Sequence, residues 1–337
     1  MASLNVLITA GSRRVPLVEA FRRSLCELNV DGSVIVSDVD VLSPTVHVAD
    51  RAYAVSSCSS EDYLAEIEEI CDAERIGLVV PTIDEELPIF GAARSRFAAL
   101  GVTVFTSSRR TAEQCNDKYE TCRVLRARDV PAAESFLPDT LPAEPSFPLF
   151  VKPRFGRGSV AAFHVRHRRD LEFFLSYVNQ PVLQDYIDGP EFTIDMLCDR
   201  RGRPLSIVPR ERIVIRAGVS DRGRTVDDPR LVDLAVACAD VFEFCGAVNI
   251  QCRLADGEPT VFEINPRYSG GIPLTIAAGG DFPRMMIELV LGRDVRPRIG
   301  VFDRDLWMTN YESPLFLTSE ELAMPMRSPM PRLREAV

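Results

Sequence analysis

Two alternating rhythms of apolar residues run through the first hundred positions. Short apolar runs within residues 5–10, 33–38, 77–81 and 102–106 read as buried strands. Between them, residues 15–28, 60–74 and about 85–100 carry the spacing of amphipathic helices, the second opened by Ser60-Glu61-Asp62. Such alternation requires right-handed crossovers and gives a doubly wound parallel sheet, which takes ligands at the carboxyl ends of its strands.

Beyond residue 111 the rhythm changes. Residues 111–128 read as one helix containing Asn116-Asp117-Lys118, and residues 131–148 hold five prolines in a loop-rich crossing. Strands are expected at 150–153, 160–166, 182–186, 191–198, 206–217, 248–255 and 258–264, the last two joined at Asp256-Gly257. Helices are expected at 169–177 and 229–245. This part is α+β with mixed strand direction. After residue 298 the chain is rich in Pro and Met without periodicity, so an irregular wrap is expected.

The length of 337 residues suggests about two domains. A hydrophobic content of 46% with 26% charged residues belongs to a folded globular chain. The net charge of −10 argues against nucleic acid or an anionic membrane as partner, because phosphate-tracking surfaces need a basic excess. It leaves room for a small anion in a local basic pocket. Val6-Leu7-Ile8 runs straight into Gly11-Ser12-Arg13-Arg14, so no secretory leader is expected, and no apolar run approaches the roughly 18 residues of a membrane span. Nine cysteines without a C-x-x-C pair point to a reducing cytoplasm, with Cys238, Cys245 and Cys252 as small buried hydrophobes. His47, His164 and His167 read as surface residues, not metal ligands.

Of the 39 basic residues only Lys118 and Lys152 are lysine. In so arginine-rich a chain, surviving lysines are candidates for places that need a compact ammonium on a flexible stem. Lys152 leads into Pro153-Arg154-Phe155-Gly156-Arg157-Gly158-Ser159, a loop whose backbone N–H groups could fold over a polyphosphate, although the lysine precedes the glycines and so departs from a Walker A loop. In the strand ending Phe262-Glu263-Ile264-Asn265-Pro266-Arg267, Glu263 and Asn265 share a face while Phe262 and Ile264 enter the core. Gln251 on the neighbouring strand reaches the same face, and three oxygen-bearing side chains suit Mg2+. Gln184-Asp185-Tyr186-Ile187-Asp188-Gly189-Pro190-Glu191 ends a strand in a turn, with Glu191 able to accept from ribose hydroxyls.

In this order the motifs resemble the ATP-grasp superfamily, in particular its arm related to the large subunit of carbamoyl phosphate synthetase, over about residues 4–298. The resemblance implies an N-terminal doubly wound Rossmann-like domain (1–112), a small lobe with a glycine-rich lid (113–185), a large lobe with metal and substrate site (186–298) and a tail (299–337). It implies ATP held by Lys118 and Lys152, a lid of Gly156, Gly158 and Ser159, adenine at Gln184, Asp185, Tyr186 and Ile187, and ribose at Glu191. Gln184 stands where a carboxylate is frequent in the family. Two Mg2+ ions (Mn2+ in their place being considered) would be bridged by Glu263 with Gln251 and Asn265, and Arg267 would steady the phosphoryl group.

The activity implied is an ADP-forming ligase that joins a carboxylate to an amine through an acyl phosphate. The alternatives are bicarbonate or carbamate activation of the carbamoyl phosphate type and, more distantly, an NAD-dependent oxidoreductase or a non-catalytic nucleotide binder. Ile8-Thr9-Ala10-Gly11-Ser12 holds one glycine where a dinucleotide fingerprint needs three. For the substrates, small molecules, Arg210, Arg212 and Arg216 alternate on a strand and are expected to share an anion-binding face with Gly218 and Arg267. Thr82, Asp84 and Glu85 are candidates for reading an amine. A homodimer is the oligomer considered.

Overall fold

The computed structural model describes residues 2–323 and 326–327. Its first unit comprises residues 1–105, 283–295 and 312–337 and its second residues 106–282 and 296–311.

In the first unit, strands β1 (Asn5–Thr9), β2 (Val34–Asp38), β3 (Arg51–Ala54), β4 (Ile76–Val80) and β5 (Thr103–Val104) alternate with helices α1 (Val15–Glu27), α2 (Pro44–Val48), α3 (Tyr63–Ala73) and α4 (Leu87–Ala99). They pair in parallel in the order β3-β2-β1-β4-β5, so consecutive crossovers diverge between β1 and β4. Val6, Leu7, Ile8, Val34, Ile35 and Val36 are completely buried, as residues of a parallel strand covered on both faces must be. The sequence pattern had not shown α2 or β3, whose four residues are too few to establish a period.

The second unit opens with α5 (Arg109–Asn116) and α6 (Lys118–Arg126). The single helix expected over 111–128 is thus two. Asp117 breaks it at ψ 104°, and its carboxylate accepts from the backbone N–H groups of Tyr119 and Glu120 as the N-cap of α6. A four-stranded sheet follows, β6 (Ser135–Phe136), β7 (Leu149–Pro153), β8 (Phe163–Val165) and β9 (Pro181–Asp185), ordered β6-β9-β7-β8 and backed by α7 (Arg168–Tyr177). The strand expected at 160–166 shrinks to β8 because Ser159 and Ala161 take positive φ.

The larger sheet contains β10 (Glu191–Cys198), β11 (Pro204–Arg216), β12 (Val219–Thr225), β13 (Gly246–Ala255) and β14 (Glu258–Asn265), with α8 (Pro229–Val241) before β13 and α9 (Ile272–Ala277) and α10 (Phe282–Val290) after β14. α8 ends before residue 245 because Phe242 turns extended and is buried in the core. The tail is not wholly irregular: β15 (Arg298–Ile299) pairs with β11 and β16 (Trp307–Thr309) with β12, then come α11 (Ser319–Ala323) and β17 (Met326–Arg327), which pairs with β3. Residues 324–325 and 328–337 lie outside the described residues.

One face of the larger sheet is apolar. Phe192, Ile194, Met196, Ile207, Ile250, Cys252, Val261 and Ile264 pack there against Cys122 and Leu125 of α6 and Leu231, Leu234 and Cys238 of α8. Each such side chain contributes about 1.5–3 kcal/mol on burial. The opposite face is left to polar residues.

Candidate functional site

Antiparallel pairing sets that polar face in rows. Gln251 lies opposite Glu263 and Thr193, and Asn249 opposite Asn265 and Asp195; Arg210 lies opposite Thr193. Directly opposed residues of an antiparallel ladder project to the same side.

The rows depend on one irregularity. Gln251 pairs with Glu263 but Cys252 with Val261, so Phe262 is an extra residue in β14. Phe262 packs against the edge of the core, half-buried and not fully enclosed, and its carbonyl accepts from Lys152 Nζ at 3.3 Å and Gln184 Nε2 at 3.4 Å. Its ring lies 5.1 Å from Lys152 Nζ.

Lys152, on β7, is 6% exposed, and its Nζ stands 3.8 Å from Glu263 Oε2. Glu263 Oε1 accepts from Asn265 Nδ2 at 3.0 Å, and Asn265 Oδ1 accepts from Arg267 Nη2 at 3.2 Å. Burial pushes the Glu263 carboxyl up, but Lys118, Lys152, the Asn265 amide and Arg267 outweigh it and hold the group below the usual glutamate range. Burial lowers the Lys152 ammonium against the pull of Glu263, with Lys118 adding to the decrease.

Lys118 is the first residue of α6, and its Nζ donates to the Gly156 carbonyl at 2.5 Å. The sequence reading missed what holds it. Arg154 grips the Asp117 carboxylate from Nε (2.9 and 3.0 Å) and Nη2 (2.6 Å), and the Arg154 carbonyl accepts from the Lys118 N–H at 3.1 Å. Asp117 followed three residues later by Glu120 was the available signal for a helix start. In the glycine loop after β7, Gly156 and Gly158 have φ of +95° and +79°, and Ser159 has +56°. A Cβ at Gly218 would stand 2.8 Å from Gly158 Cα, so the glycine loop meets the tip of the β11–β12 hairpin backbone to backbone; Gly218 is needed for that approach and Gly158 for its positive φ.

Glu191 accepts from Arg212 Nη1 at 2.7 Å and Arg253 Nη2 at 2.6 Å, and Arg212 also donates to Gln251 Oε1 at 3.2 Å and the Gly218 carbonyl at 2.8 Å. Buried Gln184 donates from Nε2 to Cys122 Sγ, Ser135 Oγ and the Phe262 carbonyl. The Asp185 and Tyr186 N–H groups donate to the carbonyls of Glu134 and Pro148. Ile187 packs beside the core. His164 is not a free surface residue but stacks on Tyr186 with ring centroids 4.1 Å apart, while His167 caps α7.

The shared arginine face is not formed. Arg210 is fully buried and paired with Asp195 at 2.8 Å, and Arg212 is committed to Glu191. Arg216 lies in solvent beside Asp221. Register shifts after Arg212 and Val214 turn the end of β11 away from the row in which Arg210 stands.

Among the described residues no group of three or more His, Cys, Asp and Glu side chains is placed to hold a metal. The available donors are one carboxylate and two amides, Glu263, Asn265 and Gln251. That hard-oxygen set fits Mg2+, which uses few protein ligands and needs the carboxylate ionised, as Glu263 is held. In the first unit, Thr82 donates to the carbonyls of Thr9 and Ala10. Asp84 and Glu85 stand in a 3-10 turn, Asp84–Glu86.

Residues 6–105 match the family described as PylC-like, N-terminal domain, and residues 178–313 match the one described as ATP-grasp in the biosynthetic pathway with Ter operon. The arginine-specific large chain of carbamoyl phosphate synthase from Geobacillus stearothermophilus is 24% identical over 283 residues, 78% of this chain and 26% of that one. The chain thus spans about a quarter of the length of the curated relatives it matches. Among solved structures, a biotin carboxylase complex from Campylobacter jejuni superposes with a TM-score of 0.69 at 16% identity, covering 89% of this chain and 73% of that one. L-amino acid ligase from Bacillus licheniformis gives 0.67 at 19% identity, covering 88% and 78%.

Proposed function

For a chain that carries an ATP-grasp domain behind a PylC-like N-terminal domain, we propose an ADP-forming ligase that joins a small carboxylate to an amine. The observation that carries this reading is the ionised, partly buried Glu263 set among Lys152, Asn265 and Arg267, with Lys118 tied to the glycine loop. Residues 113–185 and 186–298 are then the two lobes around the nucleotide, behind the domain of residues 1–112.

In this reading Lys118 and Lys152 neutralise the phosphates, and Gly156, Gly158 and Ser159 close over them to exclude water. Adenine lies against Gln184–Ile187; because the amides of Asp185 and Tyr186 donate within the protein, recognition falls to carbonyls of the segment and to Ile187. Glu191 holds ribose, since a carboxylate has about four acceptor sites and two guanidinium contacts leave room for hydroxyls. Mg2+, with Mn2+ able to serve, would be held by Glu263, Asn265 and Gln251 and would neutralise phosphate charge. Gln251 would first have to leave Arg212. Two ions match the resemblance.

A carboxylate oxygen attacks the γ-phosphorus, ADP departs, and Arg267 steadies the phosphoryl oxygens. The amine then attacks the acyl carbon, loses a proton, and phosphate leaves. Arg267 orients the substrates, and Arg212 holds the Gly218 carbonyl of the hairpin turn near the glycine loop. Screening pairs of amino acids and small acids for ADP release tests the reading; release that requires both partners supports it.

The similarity to carbamoyl phosphate synthase favours a second reading, bicarbonate activation. ADP formation with bicarbonate and no organic acid would establish that reading instead. No helix among the described residues is long and apolar enough to cross a membrane. A cytoplasmic enzyme acting on small molecules is part of the proposal. A homodimer is the assembly to test by light scattering.

A further inference from the structure

We propose that Arg210 and Asp195 are a positioning pair for Arg267 and that Arg210 does not touch substrate. The inference rests on the phosphoryl-transfer reading above, because it takes Arg267 as the group beside the reacting phosphoryl.

Arg210 is fully buried on the polar face of the larger sheet. Its Nε donates to Asp195 Oδ2 at 2.8 Å and its Nη2 to Ser269 Oγ at 3.0 Å. Thr275 Oγ1 donates to the same Asp195 oxygen at 2.5 Å. One buried pair thus grips both ends of residues 269–275, the segment that begins two positions after Arg267. Between those ends, Nη1 is pressed against Gly271, where a Cβ would come within 2.4 Å of it. Arg267 in turn donates to the Tyr268 carbonyl and to Asn265 Oδ1, so its guanidinium takes its direction from the turn that Arg210 anchors.

Stability does not account for the pair. Among the described residues Asp195 Oδ1 and Arg210 Nη1 have no hydrogen-bond partner, although both are buried. A buried ion pair left partly unsatisfied is no more stable than a packed apolar pair of the same volume. What the charges supply is direction: the guanidinium fork fixes Ser269, Gly271 and, through Asp195, Thr275 at once.

Gly271→Ala is the sharpest probe, because Gly271 has φ −95°, which alanine adopts without strain, so the new methyl acts only by displacing the Arg210 guanidinium. The second probe is Asp195→Leu combined with Arg210→Met, which keeps volume and removes both charges. Affinity is measured for MgADP and for MgADP with aluminium fluoride, a mimic of the phosphoryl group in flight, alongside the thermal midpoint.

Both variants should bind MgADP within about twofold of the parent, the double variant at an unchanged melting temperature and Gly271→Ala at a lowered one because it displaces a buried charge, yet both should hold the fluoride complex about tenfold or more weaker, as misplacing one charge-stabilising group does. Unchanged capture in both, with capture lost in Arg267→Ala, would overturn the inference. So would an equal loss of MgADP and fluoride-complex affinity, which marks a merely structural role. If Arg267→Ala itself captures the complex normally, the phosphoryl-transfer reading fails instead.

Discussion

Arg154 closes on both carboxylate oxygens of Asp117, and through that grip the protein fixes where Lys118 stands. Asp117 is at once the N-cap of the helix that Lys118 begins and the counter-charge for a residue two positions after Lys152. The two lysines are thereby joined by one side-chain contact and one backbone hydrogen bond, from the Lys118 N–H to the Arg154 carbonyl.

Replacing Asp117 should therefore affect stability and nucleotide binding together. Asp117→Ala removes the cap, at about 0.5–2 kcal/mol, and leaves Arg154 without its anion. Asp117→Asn keeps an acceptor for the cap and should lose less stability while still weakening ATP binding. Calorimetric unfolding and nucleotide titration check this; normal ATP affinity in both variants would mean that the pair does not place Lys118.

Lys152→Arg should weaken ATP binding about tenfold or more although charge is kept, because a planar guanidinium cannot occupy the space of an ammonium fitted against Phe262 and Glu263. Lys118→Arg should do the same. Titration with a non-hydrolysable ATP analogue reads both, and unchanged affinity would remove the lysines from the nucleotide site.

Glu263→Gln should keep the fold, and nucleotide binding at high Mg2+, yet abolish turnover. The pH dependence has a definite sign. Because the folded carboxyl lies below its ordinary value, the stabilisation it gives is present above the unfolded glutamate range and is lost as pH falls through the lower folded value. Acid unfolding of the parent should lose this contribution, and that of Glu263→Gln should lack it; superimposable acid transitions would contradict the charge arrangement.

A second titration belongs to the first unit. Glu86 is 1% exposed and accepts from Thr9 Oγ1 and the Tyr63 hydroxyl, and burial pushes its carboxyl up to about 7 against these hydrogen bonds. A raised carboxyl disfavours the folded state as pH climbs from the unfolded value toward the folded one. Over that window the parent should lose up to about 3 kcal/mol, at 1.36 kcal/mol per pH unit. Glu86→Gln should flatten the slope between about pH 4.5 and pH 7 in denaturant melts, and an unaltered slope would show that Glu86 is not its source.

Much of the fold, and the shared face of Glu263, Asn265 and Gln251, were legible because they rest on local pattern. The strand-helix rhythm before residue 105 follows from burial on both faces, and Glu263 and Asn265 are two apart on one strand. Features decided by distant partners were not legible. The extra residue at Phe262 depends on the register of the neighbouring strand, and no glycine marks it. Arg210 reads as an exposed arginine until Asp195, on the adjoining strand, is placed beside it. Strand β12, Val219–Thr225, holds two arginines, an aspartate and a glycine, and its apolar content is too small to reveal it.

The central claim is that ATP is spent on a carboxylate. Acids and amino acids labelled with heavy oxygen in the carboxyl group, supplied with ATP, Mg2+ and amine acceptors, test it through the mass of the released phosphate. The expected products are ADP and phosphate carrying one labelled oxygen, because that oxygen attacks phosphorus before the amine displaces it. Unlabelled phosphate with ADP, or AMP with pyrophosphate, would contradict it.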